Sequence, residues 1–353
     1  MTKTKNKAGG YRRPTAADLK RTAALYLSTG ENVSEVARTL DMSRNSVRNR
    51  LTRAAEAGYL DPELLKRSND STHRSFERAV AAQKDQFNRV EKAGTYRTPR
   101  TVDLPDDKPF VLIALGDPHL DNKGTDLNLW DRWIEPLGED NVRGVCLGDM
   151  TDNWLRFLGF LYANAESTEE DAWVLLQGYM EKIGPDLDAL VGGNHDLWKN
   201  EGALRYICEQ FDVRYRAHGV TLAYRTPMGR EITVGMRHRF AGHSQWNTVH
   251  AITKAAMMGW RANVLIGGDK HISGQNWVKD PVDGKITHCH QLAAFKVCDD
   301  YAESMGFQDQ HITPAVALVI DPRFEDDDPR LIKTFHDARE AADYCEFLRS
   351  GNK

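Results

Sequence analysis

The sequence predicts a small all-α domain followed by a larger α/β domain, on three observations. From Phe110 onward, short apolar runs alternate with helical segments. Before that, Thr15 to about Leu60 keeps a helical period and shows no strand-like run. Charge divides along the same line: residues 1–100 carry 21 Lys+Arg against 11 Asp+Glu, and the remainder 26 against 40. A basic arm and an acidic body imply different partners, a polyanion for the first and divalent cations for the second.

Along the chain, residues 1–14 are polar and basic and are expected to be a disordered tail. Residues 15–65 form the helical domain: Thr15 with Asp18 marks a helix start, and Leu19, Ala23 and Leu27 share a face up to Gly30. A second helix fits Val33 to Leu40, and Ser43 caps a third from Arg44 to about Ala57. Residues 66–108 read as connector and linker. Ser68 to Lys92 carries only a thin apolar stripe (Phe76, Val80, Phe87, Val90), and Pro99 and Pro105 break the pattern of the Gly94 to Lys108 stretch. Residues 109–353 are the α/β domain, with strands expected at Val111–Leu115, Val142–Leu147, Leu187–Val191, Ile232–Arg237 and Val264–Ile266.

A hydrophobic fraction of 41% suffices for a core, and no apolar run approaches the roughly 20 residues that span a bilayer. The first residues lack a secretory apolar segment, so a cytoplasmic location is expected, with no membrane partner. Cys146, Cys208, Cys289, Cys298 and Cys345 show no paired spacing and read as reduced thiols.

Ser34 to Leu51 resembles a helix-turn-helix. Ala37 is small where two helices cross; Leu40, Met42, Val47 and Leu51 supply the shared core. Arg44, Asn45, Arg48, Asn49 and Arg53 are left for the outer face of the last helix, where Arg suits guanine and Asn suits adenine. The turn carries Asp41 where glycine is usual, and Asp tolerates left-handed backbone better than most residues. DNA is the expected partner, through base readout or through phosphate contacts alone.

Five polar segments carry the chemistry: Asp117-Pro-His119, Gly148-Asp149-Met-Thr-Asp152, Gly193-Asn194-His195-Asp196, His238 with His243 as competitor, and Gly268-Asp269-Lys270-His271. Most stand directly after an apolar strand. Carboxylates and imidazoles at strand carboxyl ends converge on one crevice, and oxygen with imidazole suits first-row divalent cations. His250, His288, His290 and His311 lack such context and stay unassigned.

In this order the segments resemble the calcineurin-like metallophosphoesterase superfamily, with its D-x-H, G-D-x-x-D, G-N-H-D/E, H and G-H-x-H motifs, over roughly residues 108–320. The resemblance implies a β-sandwich flanked by helices and two divalent metal ions, manganese favoured, with iron, zinc, nickel, cobalt or magnesium as alternatives. It implies one ion on Asp117, His119, Asp149 and His271, and a second on Asp149, Asn194 and His238. It also implies that His195 protonates the leaving oxygen or steadies charge on the phosphoryl group, that Asp196 orients its ring and that Asp152 buttresses the site. Asp269 stands where the family has histidine: it either ligates the second ion, favouring a harder cation, or points away.

No side chain of the set suits a covalent nucleophile, so direct hydrolysis is expected. The helix-turn-helix points to a DNA phosphodiesterase. Two alternatives stand beside it: a small or protein phosphoester with the arm as tether, and a DNA-binding regulator with a degenerate site. Trp154, Trp198 and Trp246 lie near the motifs, either to stack on bases or to pack the crevice lining.

Overall fold

The computed structural model describes residues 14–65, 76–153, 167–199, 201–298 and 313–351. The chain divides into two compact units, Met1–Ala93 and Gly94–Lys353.

In the first unit, α1 (Ala16–Ser28) starts with a reciprocal capping box between Thr15 and Asp18. Asn32 caps α2 (Val33–Thr39), and the Ser43 hydroxyl accepts the Ser46 N–H at 3.1 Å to cap α3 (Arg44–Glu56). Asp41 turns the chain between α2 and α3 with a φ of 49°, the left-handed conformation expected there. Leu19, Ala23, Tyr26, Val36, Ala37, Val47, Leu51, Ala54 and Leu60 close one small core. In α4 (Phe76–Ala93), Phe76, Phe87 and Val90 of the thin apolar stripe are exposed. The expected tail falls outside the described residues but for Pro14, as does the start of the connector.

The second unit is a sandwich of two six-stranded mixed sheets, as the sequence leads one to expect. Its strands are β1 (Pro99–Asp103), β2 (Phe110–Leu115), β3 (Val142–Cys146), β4 (Leu187–Val191), β5 (Arg214–Arg216) and β6 (Val220–Arg225). They continue with β7 (Glu231–Arg237), β8 (Val264–Gly267), β9 (Gly274–Lys279), β10 (Ile286–Gln291), β11 (Ala315–Ile320) and β12 (Ile332–Phe335). One sheet runs β12-β11-β2-β3-β4-β5, the other β1-β6-β7-β8-β10-β9. Leu112, Ala114 and Val145 meet Leu222, Val234 and Ile266 in the core between the sheets.

The opposite faces are covered by helices, which is why the central strands read as unbroken apolar runs. Val111, Ile113 and Leu115 pack under α5 (Leu127–Ile134), α6 (Glu169–Ile183) and α10 (Ala338–Arg349), and Leu265 and Cys289 pack under α9 (His250–Met257). Two shorter helices, α7 (Asn194–Trp198) and α8 (Glu201–Gln210), come after β4. Strand β1 corrects the linker reading of residues 94–108. Pro99 is its first residue and β1 is an edge strand, so the missing N–H breaks no ladder.

Strands β2, β3 and β4 are mutually parallel, as are β7 and β8. Hydrogen bonds from His238 to the Leu147 carbonyl and from the Asp269 N–H to Asp117 join the exits of the two sheets at one end of the sandwich.

Candidate metal centre

Each of those five exits supplies polar side chains. Asp117 and His119 come after β2, Asp149 and Asp152 after β3, Asn194, His195 and Asp196 open α7 after β4, His238 comes after β7, and Asp269 and His271 after β8. Asp117 and His119 are wholly buried; Asp149, His195 and His238 are nearly so. His119, Asp149 and His195 offer ligand atoms within 4.8 Å of one another, and so do Asp117, Asp149 and His238. Asp149 belongs to both groups.

The hydrogen bonds on the imidazoles are informative. His119 Nδ1 donates to Asp152 Oδ1 at 2.8 Å, and His238 Nδ1 donates to the Leu147 carbonyl at 2.8 Å. A histidine that binds metal typically gives its other N–H to a carboxylate or carbonyl in this way. The second nitrogens then face inward. His119 Nε2 stands 3.3 Å from His271 Nε2, and His238 Nε2 stands 2.9 Å from Asn194 Oδ1 and 3.2 Å from Asp149 Oδ2. Two ring nitrogens facing each other hold at most one proton between them. A ring nitrogen facing two oxygen acceptors needs a proton or a cation.

Charge tells the same story. Burial, with the Asp149 charge beside it, pushes Asp117 well above the usual carboxylate range, although His238 opposes the shift. Burial also works against charge on Asp149, but His238, His195 and His119 outweigh it and hold its carboxyl low. Burial likewise disfavours charge on His238, yet Asp117 and Asp149 push that imidazole up to about 10. Burial thus sets the carboxylates against one another, and they hold positive charge on His238 beside them.

The residues fit divalent cations on two further observations. Asp117 Oδ1 is buried with no hydrogen-bond partner, a costly state for a carboxylate oxygen. His119, Asp149, Asp269 and His271 all adopt left-handed backbone, with φ of 44°, 50°, 70° and 49°. Such backbone is costly for most side chains, less so for Asp, and it persists where the surrounding structure over-determines it, as at ligand-holding sites. Glycine makes the close approaches possible: a Cβ on Gly193 would lie 2.0 Å from Asp149 Oδ1, and one on Gly268 2.5 Å from Asp117 Oδ1.

Asp269 reaches into the centre, with Oδ1 3.8 Å from His238 Nε2 and its backbone N–H on Asp117 Oδ2 at 2.8 Å. His243 is exposed and lies outside the centre, whereas His238 is buried within it. The ring-orienting role expected of Asp196 is not what its contacts provide. Its carboxylate accepts the backbone N–H groups of Gly193, Asp149 and Met150 at 2.9, 2.7 and 3.1 Å, because α7 starts beside the β3 exit. His195 Nδ1 instead donates to the Asp152 carbonyl.

Sequence reasoning also passes over Asp121 and Asn122. Asn122 Nδ2 donates to Asp152 Oδ2 at 2.6 Å, and Asp121 Oδ1 accepts the Asp152 N–H at 2.8 Å. The available signal is a polar Asp-Asn pair directly after the first motif, on residues that are mostly buried. Trp198 lies against His195, with ring centroids 4.3 Å apart, and Trp246 is exposed. Trp154 and His311 fall outside the described residues, while His288 and His290 sit within β10.

In the first unit Arg44, Asn45, Arg48, Asn49 and Arg53 all lie on the exposed side of α3. A family model described as the PucR C-terminal helix-turn-helix domain matches residues 19–65. Residues 19–65 are a helix-turn-helix domain.

No curated protein matches the chain. Among solved structures, the chain is similar to Vps29 from Entamoeba histolytica complexed with zinc (12% identity, 64% of this chain, 97% of that chain, TM-score 0.32). It is also similar to a predicted phosphoesterase from Streptococcus pneumoniae (11%, 64% and 97%, TM-score 0.28) and to the NAD nucleotidase of Haemophilus influenzae (11%, 64% and 49%, TM-score 0.32). Among the described residues, no helix is long and apolar enough to cross a membrane.

Proposed function

We propose that the chain is a metal-dependent phosphoesterase that hydrolyses phosphodiester bonds of DNA, brought to its substrate by the helix-turn-helix domain. The observation that carries this reading is the meeting of Asp117, His119, Asp149, Asn194, His238, Asp269 and His271 in one pocket, with imidazole Nε2 atoms turned inward. Asp117, His119, Asp149 and His271 would hold one divalent ion; Asp149, Asn194, His238 and Asp269 would hold the second, manganese being the favoured metal for so oxygen-rich a set. When bound, such ions supply Lewis acidity, neutralising charge on a phosphoryl group and acidifying water.

The chain's own groups do the rest. Asp152 fixes the His119 ring through Nδ1, and the Leu147 carbonyl fixes the His238 ring. With His195 Nδ1 donating to the Asp152 carbonyl, Nε2 is the atom that would protonate the leaving oxygen or steady charge on the phosphoryl group. Asp196 ties the β3 exit to the start of α7 through three backbone amides and so keeps Asp149 and His195 in register. Arg44, Asn45, Arg48, Asn49 and Arg53 present donors to duplex DNA, consistent with the excess positive charge of the arm.

Purified protein with manganese, assayed on linear, circular and single-stranded DNA beside an aryl phosphodiester, tests the reading. DNA hydrolysis that Asp149→Ala and His195→Ala abolish is expected. Hydrolysis of the aryl ester alone would make the helix-turn-helix a tether, and silence on every substrate with tight DNA binding would make the chain a regulator.

A further inference from the structure

On the outer side of Asp269 an open cleft of about 640 Å³ is lined by Arg239, Gly242, His243, Thr248 and Lys270 among others. Asp269 is the one carboxylate among its lining residues, and that side chain reaches into the buried centre. The cleft is therefore cationic on a body whose residues 101–353 are acidic on balance. Arg239 Nε stands 3.4 Å from Asp269 Oδ2, and Lys270 Nζ donates to the Gly242 carbonyl at 3.2 Å. Both cations line the cleft, Arg239 beside Asp269.

The rim of the cleft is built to hold one side chain outward. Ser244 Oγ accepts the N–H groups of Trp246 and Asn247 at 3.3 and 3.2 Å, and Asn247 Oδ1 accepts the Val249 N–H at 3.0 Å. Between these anchors Trp246 is 94% exposed. A lone apolar side chain on a surface is ordinary. An indole on a hydrogen-bonded turn, beside a cationic cleft that shares Asp269 with the centre, is a different matter.

We infer that this cleft binds the nucleotide next to the scissile phosphate on a single strand of nucleic acid. Arg239 and Lys270 take the neighbouring phosphate, and Trp246 stacks on its base. An unpaired strand suits the site because stacking on an indole requires a base free of its duplex partner. The inference rests on the proposed function for where the scissile bond lies, while binding of the strand stands apart from any hydrolysis.

The test uses the full chain and a fluorescein-labelled DNA hexamer, a single strand that offers the helix-turn-helix no major groove. With manganese, Trp246→Ala is expected to raise KM for the hexamer about tenfold, equivalent to about 1.4 kcal/mol, while Trp246→Phe retains most of the affinity. Turnover of an aryl phosphodiester, which has no neighbouring nucleotide, is expected to be unchanged in both. Unchanged KM for the hexamer, an equal loss on both substrates, or preference for a phosphopeptide over the hexamer would overturn the inference. Should the wild-type chain hydrolyse nothing, the phosphoesterase reading fails, and anisotropy of the hexamer still decides the cleft. Tenfold weaker binding by Trp246→Ala and by Lys270→Gln supports the assignment; binding equal to wild type removes it.

Discussion

Gly193→Ala adds one methyl group, alters no charge and removes no ligand, so any effect must come through position. The new Cβ would lie 2.0 Å from Asp149 Oδ1, 2.4 Å from its backbone nitrogen and 2.6 Å from its Cγ, where real Cβ atoms essentially never come within 3.0 Å. The carboxylate or the start of α7 must therefore retreat by about 1 Å, a misplacement that typically costs about a hundredfold in rate. Gly193 has a φ of −82°, so alanine meets no backbone strain of its own. Overpacking itself should cost about 1–3 kcal/mol, leaving a folded protein to assay. Thermal melts establish that it is folded, calorimetric titration with manganese reads the affinity, and an aryl phosphodiester reads turnover. Wild-type affinity and turnover in a folded Gly193→Ala variant would refute the placing of Asp149 at the heart of the centre.

The same structure leads to further outcomes. Asp149→Ala and His195→Ala should abolish hydrolysis and leave duplex affinity within a few fold of wild type, measured by anisotropy; loss of duplex binding instead would undo the division of labour between the units. Arg48→Ala should weaken duplex binding and flatten its salt dependence without changing aryl ester turnover, and an unchanged salt slope counts against a groove-facing α3. Ser43→Ala removes the cap of α3 and should destabilise the first unit by about 1 kcal/mol, read by denaturant unfolding of the helical signal. His290, buried with Nε2 lacking a hydrogen-bond partner, is pushed down to about 3 by burial. Between its unfolded value near 6.5 and that folded value only the unfolded chain binds the proton. Stability should therefore fall as pH drops below about 6.5, by up to about 1.4 kcal/mol per pH unit. His290→Leu should flatten that slope; denaturant midpoints that still fall as steeply would remove His290 as a cause.

Much of this architecture is legible in the chain because burial on two faces leaves a plain trace. Val111–Leu115 and Leu187–Val191 are apolar almost throughout, and they are central strands covered by the second sheet on one side and helices on the other. Strands with little burial leave no such trace. β9 is largely exposed at a sheet edge, and β1 begins with proline among charges. The capped helices of the first unit are legible because Thr15, Asn32 and Ser43 act locally, within three residues of the amides they satisfy. The ligand candidates can be read because each stands next to its strand. What orients them cannot: Leu147 lies 91 residues from His238, and Asp196 lies 47 from Asp149. Such pairings exist only once the exits of both sheets have met, which is also why the motif alone suggests a role for Asp196 that its neighbours do not support.

The metal content of the purified protein after equilibration with manganese, counted by mass spectrometry per chain, addresses the heart of the account. Two ions per chain are expected, falling to one or none in Asp149→Ala. A wild-type chain that retains none would contradict the reading of the pocket as a metal centre.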